Sequence, residues 1–388
     1  MSILPHELLD LIADNLHNDL GSLKACSLTA SPFLPSTRYH IFSTIHLLPP
    51  NTKSTPPYQK FCSVLHSSPH LALLVKDLRI VEGSRSPSES LGTPWVAAAG
   101  RILASILSQL KLSRFTMVSH REAPDYWDTL PRRLITAIQD VFCSPSLKSV
   151  RIFGFAHSPL VTLLMGEAYK LKELVIDDSA LVQIISFTSR PQLEHLALAD
   201  SPTSTGLLFA LSNIDFSRLK ILSLSGLSMD GSSVNSLLTL MPDSNAVETL
   251  NIWYKTDIDF GQYPLEPLDI VSSLPRLRFL RVSGQLSILD MAATLAECGL
   301  HKTLESISLE AGVDFLQIDD PMHWSEFHAA FLRFPRRIQV ALRLAKGQDG
   351  YKTSLEERDT IGLLIARGDV IIHESCSYST LSVHELEP

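Results

Sequence analysis

A phrase of the form L-x-x-L-x-L-x recurs along this chain and constrains its fold more than any other feature. It reads LKSVRIF from Leu147, LKELVID from Leu171, LEHLALA from Leu193, LKILSLS from Leu219, VETLNIW from Val247, LRFLRVS from Leu277 and LESISLE from Leu304. Successive copies start 24, 22, 26, 28, 30 and 27 residues apart, the interval of one strand-plus-helix unit stacked on the next. Weaker copies stand earlier, VKDLRIV from Val75 and LSRFTMV from Leu112.

Side chains alternate across a strand, so the fourth and sixth residues of each phrase share one face and the third, fifth and seventh share the other. Val150 with Ile152, and Leu222 with Leu224, are thus expected to point into a core. Segments with apolar residues at helical spacing lie between phrases, at 180–188, 233–240, 267–274 and 287–298. The expected fold class is α/β: parallel strands on a concave side, helices on a convex side. The C-terminal part, with alternating Val340, Leu342 and Leu344 and the run Val370-Ile371-Ile372, reads as a closing cap.

The N-terminal stretch is different. Pro5 suits the first turn of a helix, Glu7 complements its dipole, and Leu8, Ile12 and Leu16 recur every four residues. Asp19 is a good N-cap for a second helix reaching Leu28, and Ser31-Pro32 starts a third in which Pro35 fits only the first turn. A module this small buries too little surface to stand alone, so a partner or the following array must cover its apolar faces. Pro49 to Pro57, rich in Pro, Ser and Thr, reads as an extended linker. The expected organisation is a helical module at 1–48, a linker at 49–58 and the array at 59–388.

The order Leu4-Pro5-x-Glu7-Leu8-Leu9-x-x-Ile12-x-x-x-Leu16, followed by Asp19-Leu20-x-x-Leu23 and by Phe33-Leu34-Pro35-x-x-Arg38-Tyr39-His40-Ile41-Phe42, resembles the F-box, in the variety common in fungal F-box proteins. Ala30 and Phe33 depart from the commonest F-box pattern, which has Cys or Ser and Trp there. The repeat resembles leucine-rich repeats, but the ninth positions, from Phe155 to Gly312, lack the Asn or Cys of that family, so an irregular solenoid is expected. The resemblance implies a substrate receptor of an SCF-type cullin–RING ubiquitin ligase. A Skp-family adaptor would be held by Leu4, Pro5, Glu7, Leu8, Ile12, Leu16, Leu20 and Leu23, with cullin and RING subunit joined through it. An N-terminal cap of a repeat scaffold that takes no part in ubiquitination is the alternative reading.

The outward strand positions carry the candidate substrate contacts: Arg151, Phe153, Glu173, Asp177, His195, Asn251, Trp253, Phe279, Arg281 and Glu310. Arg and aromatic residues are the usual energetic anchors of protein interfaces, and aromatic side chains gain little from open water. The partner is expected to be a protein. Lys and Arg number 33 against 41 Asp and Glu, giving a net charge of −8 with no basic block, a poor match to nucleic acid.

Catalytic and cofactor signals are missing from the pattern. There is no G-x-S-x-G elbow and no phosphate-loop order at Gly347 to Lys352. His323 and His328 stand five apart beside Asp319 and Asp320, which suits a helix start better than a metal site. No cofactor, metal or enzymatic role is therefore expected. The five scattered cysteines suit reduced thiols, and no run is long and apolar enough for a membrane span. A cytoplasmic or nuclear location follows as the expectation.

Overall fold

In the computed structural model the fourth and sixth residues of the phrases fill the core wherever their side chains are described, as the alternation predicts. The structure describes residues 5–29, 31–50, 55–83, 94–119, 127–154, 170–177, 191–199, 214–225, 246–253, 271, 273–284, 303–311, 339–345 and 370–375. The fold is α/β with parallel strands that pair in chain order. The chain divides into two units, Met1–Leu174 with Ser179–Pro191, and Val175–Asp178 with Gln192–Pro388.

The first unit opens with helices α1 (His6–Asn15), α2 (Leu20–Thr29) and α3 (Leu34–Ser43), the last preceded by a 3₁₀ turn at Ser31–Phe33. Strand β1 (Thr44–Leu47) follows α3 directly. It pairs in parallel with β2 (Asp77–Glu82), β2 with β3 (Arg114–Ser119), and β3 with β4 (Ser149–Phe153). The crossovers are helical: α4 (Pro57–Ser67) links β1 to β2, α5 (Trp95–Ala98) and α6 (Gly100–Leu107) link β2 to β3, and α7 (Arg132–Phe142) links β3 to β4. Helix α4 begins at Pro57, so it takes the last residues of the stretch expected to be linker.

Two apolar rows run across these strands in register, Leu78–Phe115–Val150 and Ile80–Met117–Ile152, all buried. Helix α7 covers them with Leu134, Ala137, Ile138, Val141 and Phe142, and the Phe142 ring meets Phe115 edge-on at 5.9 Å. The end of β2 is bonded to the start of α5. The Glu82 carboxylate accepts the amides of Trp95 and Val96 at 3.0 and 2.9 Å, and the Trp95 indole N–H donates to the Val81 carbonyl at 3.0 Å.

Strand β5 (Glu173–Asp177) lies where the units divide. The second unit pairs β6 (His195–Ala199), β7 (Ile221–Ser225), β8 (Thr249–Trp253), β9 (Phe279–Gly284), β10 (Ser306–Ala311), β11 (Gln339–Ala345) and β12 (Val370–Ser375) in that order. Its core rows are Leu196–Leu222–Leu250–Leu280–Ile307 and Leu198–Leu224–Ile252–Val282. The segments expected to cap the array instead extend it, because β11 and β12 keep the same parallel pairing as the strands before them. The four helix-like segments named from the sequence lie outside the described residues, apart from Val271, Ser273 and Leu274, and so do the ninth positions of the seven clear phrases.

A repeated backbone device sets the register. The carbonyl of the second phrase residue accepts two successive amides of the next phrase in five places: Lys148 from Lys172 and Glu173, Glu194 from Lys220 and Ile221, Lys220 from Glu248 and Thr249, Glu248 from Arg278 and Phe279, Arg278 from Glu305 and Ser306, all between 2.8 and 3.1 Å. In the second unit those same residues alternate in charge, Glu194, Lys220, Glu248, Arg278 and Glu305, so a strand slipped by one repeat would place like charges together.

Candidate functional site

The three N-terminal helices form a small core around Leu9, Ala13, Leu23 and the buried Thr37, whose hydroxyl donates to the Phe33 carbonyl at 2.7 Å. Pro5 caps α1, and its carbonyl accepts the amides of Leu8 and Leu9 at 3.1 and 3.3 Å. Asp19 caps α2 as its residue type foretold. Its carboxylate accepts the Ser22 amide at 3.0 Å and the Ser22 hydroxyl at 2.6 Å, and these bonds hold its pKa below the ordinary value. Two polar ties fix α1 to α3: Ser36 donates to Asp10, and the His40 imidazole meets Asp14 at 2.7 Å.

Helix α1 therefore has its inward arc at Leu9 and Ala13 and its tie to α3 at Asp10 and Asp14. The arc left over carries Leu8, Leu11 and Ile12, which are 45, 56 and 40% exposed. A helix turns about 100° per residue, so these three side chains are neighbours on one face. Leu20 and Leu28 on α2 are exposed as well. Helices of a folded module normally bury such a stripe against something.

Of the residues expected to hold an adaptor, Leu8, Ile12 and Leu20 are on open surface, Pro5 and Glu7 are exposed, and Leu16 is half-buried. Leu4 lies outside the described residues. Leu23 is corrected: at 1% exposure it belongs to the module's own core, because α2 turns that side toward its neighbours. Leu11 was missed, although its position three residues after Leu8 is the helical signal that could have found it.

In the first unit the expected anchors on β4 are internal, and both are corrected. Phe153 is 1% exposed, in register with the buried Val118. The Arg151 side chain is 6% exposed and ion-paired, its Nη2 at 2.6 Å and its Nε at 2.8 Å from Glu173 Oε1. Strand alternation says which face a residue is on, not whether that face is covered. Asp77 sits in the row before them, 3.2 Å from Arg114, and burial pushes its carboxyl pKa up against the pull of that guanidinium.

In the second unit the described outward residues of β8 to β10 range from half-buried to exposed. Asn251 and Arg281 are half-buried, Phe279 is exposed, and His195 is half-buried on β6. Asn251 Nδ2 donates to Ser223 Oγ at 3.0 Å. Arg278 lies over the Phe279 ring, 5.1 Å from its centroid, and is bidentate to Glu305 at 2.9 and 2.9 Å. Asp177, Trp253 and Glu310 stand on β5, β8 and β10, with side chains outside the described residues.

Among the described residues no group of His, Cys, Asp and Glu could hold a metal ion, and no helix is long and apolar enough to cross a membrane. His323, His328, Asp319 and Asp320 lie outside the described residues. No family model matches the chain, and no curated protein matches it.

Proposed function

We propose that this chain is a substrate-receptor subunit of an SCF-type cullin–RING ubiquitin ligase. Helices α1 to α3 are its F-box and dock a Skp-family adaptor, which joins it to cullin and RING subunit; the strand array is an irregular leucine-rich-repeat solenoid that holds a protein substrate. The observation that supports the reading is the open apolar arc of Leu8, Leu11 and Ile12, with Leu20 also exposed, on a module whose sequence order resembles that of an F-box. The chain needs no chemistry of its own for this role: holding a substrate near a charged ubiquitin carrier raises effective concentration, as any tether does.

Leu8, Leu11, Ile12 and Leu20 are about half exposed, so covering the remainder is worth on the order of 3–6 kcal/mol. That offsets only part of the cost of association, about 4–15 kcal/mol, so polar contacts around the arc, Glu7 among them, must add to it. Co-purification with a Skp-family adaptor tests the assignment. Binding lost in a folded Leu8→Ala/Ile12→Ala variant supports it, and a folded wild-type chain that binds no such adaptor overturns it and leaves a repeat scaffold.

A further inference from the structure

We propose that the edge of the first unit at which its strands begin binds an acidic segment of a protein partner, rich in Asp and Glu. The second residue of each phrase stands at this edge, and backbone bonds join these residues into a row. The Lys76 carbonyl accepts the Ser113 amide at 2.7 Å, the Ser113 carbonyl the Lys148 amide at 2.8 Å, and the Lys148 carbonyl the Lys172 amide at 2.8 Å. With strands about 4.8 Å apart, Lys76, Lys148 and Lys172 fall on one line roughly 14 Å long. Where the row has Ser113, Lys111 and Arg114 flank it, so each of these strands begins with a cation, and all of these cations are exposed. They are scattered in sequence and only the strand pairing brings them together.

Backbone pairing does not call for this charge, since like charges on adjacent strands cost stability. In the second unit the same row neutralises itself: Arg278 is bonded to Glu305 at 2.9 Å and stands 3.7 Å from Glu248. In the first unit Lys76, Lys111 and Lys148 make no ion pair among the described residues. The carboxylates next to the row in sequence are engaged elsewhere, Asp77 by Arg114 at 3.2 Å and Glu173 by Arg151 at 2.6 Å. The row is thus complementary to a partner's carboxylates, and a basic segment is selected against. Its length matches about four or five extended residues. Residues 175–388 carry 16 Lys and Arg against 28 Asp and Glu, so a long polyanion meets repulsion that a short acidic segment escapes. The row also offers no aromatic ring on which a base could stack, which favours protein over nucleic acid.

Fluorescence anisotropy of the full-length chain with a labelled oligo-glutamate peptide of about ten residues, long enough to span the row, tests the proposal. An oligo-lysine peptide and a single-stranded DNA of matched charge are the other arms. The expected result is that the glutamate peptide binds in preference to both, and more weakly as salt rises. Its Kd should rise about ten-fold in Lys76→Gln/Lys148→Gln and hold in Lys24→Gln/Lys60→Gln, which removes the same charge away from the row. Thermal unfolding of the row variant should match or exceed that of the wild type, because it relieves like charges. Should it unfold early, Lys111→Gln, which lies outside the backbone row, is read instead and should weaken binding about three-fold. No binding of the glutamate peptide, tighter binding of the DNA, salt-independent binding, or equal loss in the two double variants overturns the inference. Adaptor co-purification reads the ligase assignment separately, so either can fail while the other stands.

Discussion

Leu8, Ile12 and Leu23 have the same apolar character and belong to neighbouring helices, yet the structure gives them opposite roles, and substitution separates those roles. Leu8 and Ile12 keep 45 and 40% of their surface open, whereas Leu23 keeps 1%. Full burial of such a side chain is worth about 1.5–3 kcal/mol, so the exposed part of each α1 residue corresponds to about 1 kcal/mol that only a partner can gain. Leu8→Ala/Ile12→Ala should therefore raise the Kd for a Skp-family adaptor by roughly thirty-fold, about 2 kcal/mol, read by calorimetric titration. Alanine keeps helix propensity, so amide hydrogen-exchange protection in α1 to α3 should stay near that of the wild type. Leu23→Ala removes a fully enclosed side chain and should cost about 2–5 kcal/mol of module stability, with protection lost across all three helices. The reasoning is refuted if the double variant, still protected, binds as tightly as the wild type, or if Leu23→Ala stays protected and abolishes binding, which would make Leu23 the contact.

Three further outcomes follow from the geometry. Gly154 has φ +67°, and a Cβ there would lie 2.0 Å from the Ser119 carbonyl oxygen, so Gly154→Ala should destabilise the first unit by more than about 1 kcal/mol in denaturant unfolding. Glu173→Ala removes the carboxylate paired with the enclosed Arg151 guanidinium and should cost about 3 kcal/mol or more, most of it recovered when Arg151→Met is combined with Glu173→Leu; a Glu173→Ala variant as stable as the wild type would show that the pair is solvated. The Asp19 carboxyl is held below its ordinary value, first by the Ser22 hydroxyl and then by the Ser22 amide, so the stability it contributes is present above its unfolded pKa of about 3.9 and is lost as pH falls through the lower folded value. Exchange protection at the start of α2 should drop in that acid window, and Asp19→Asn, which still caps, should flatten the dependence.

The alternation within each phrase is a local property of a strand, and so the sequence by itself determined the inward rows, Leu78–Phe115–Val150 and Leu196–Leu222–Leu250–Leu280–Ile307 among them, whereas β1 and the helices α4 to α7 of the first unit were not read from it. The cap at Asp19 was equally legible, because it depends on a residue three positions away. What surrounds a face depends on chain that is distant in sequence, and there only tertiary structure decided. The apolar residues of α1 span more than one face, and packing against α2 and α3 chose Leu9 and Ala13 for the core, leaving Leu8, Leu11 and Ile12 outside. The outward positions of β4 and β9 look alike in sequence, yet Phe153 and Arg151 are enclosed while Phe279 is exposed and Arg281 half-buried, since burial is set by what the fold brings over a residue and not by the residue's place in its strand.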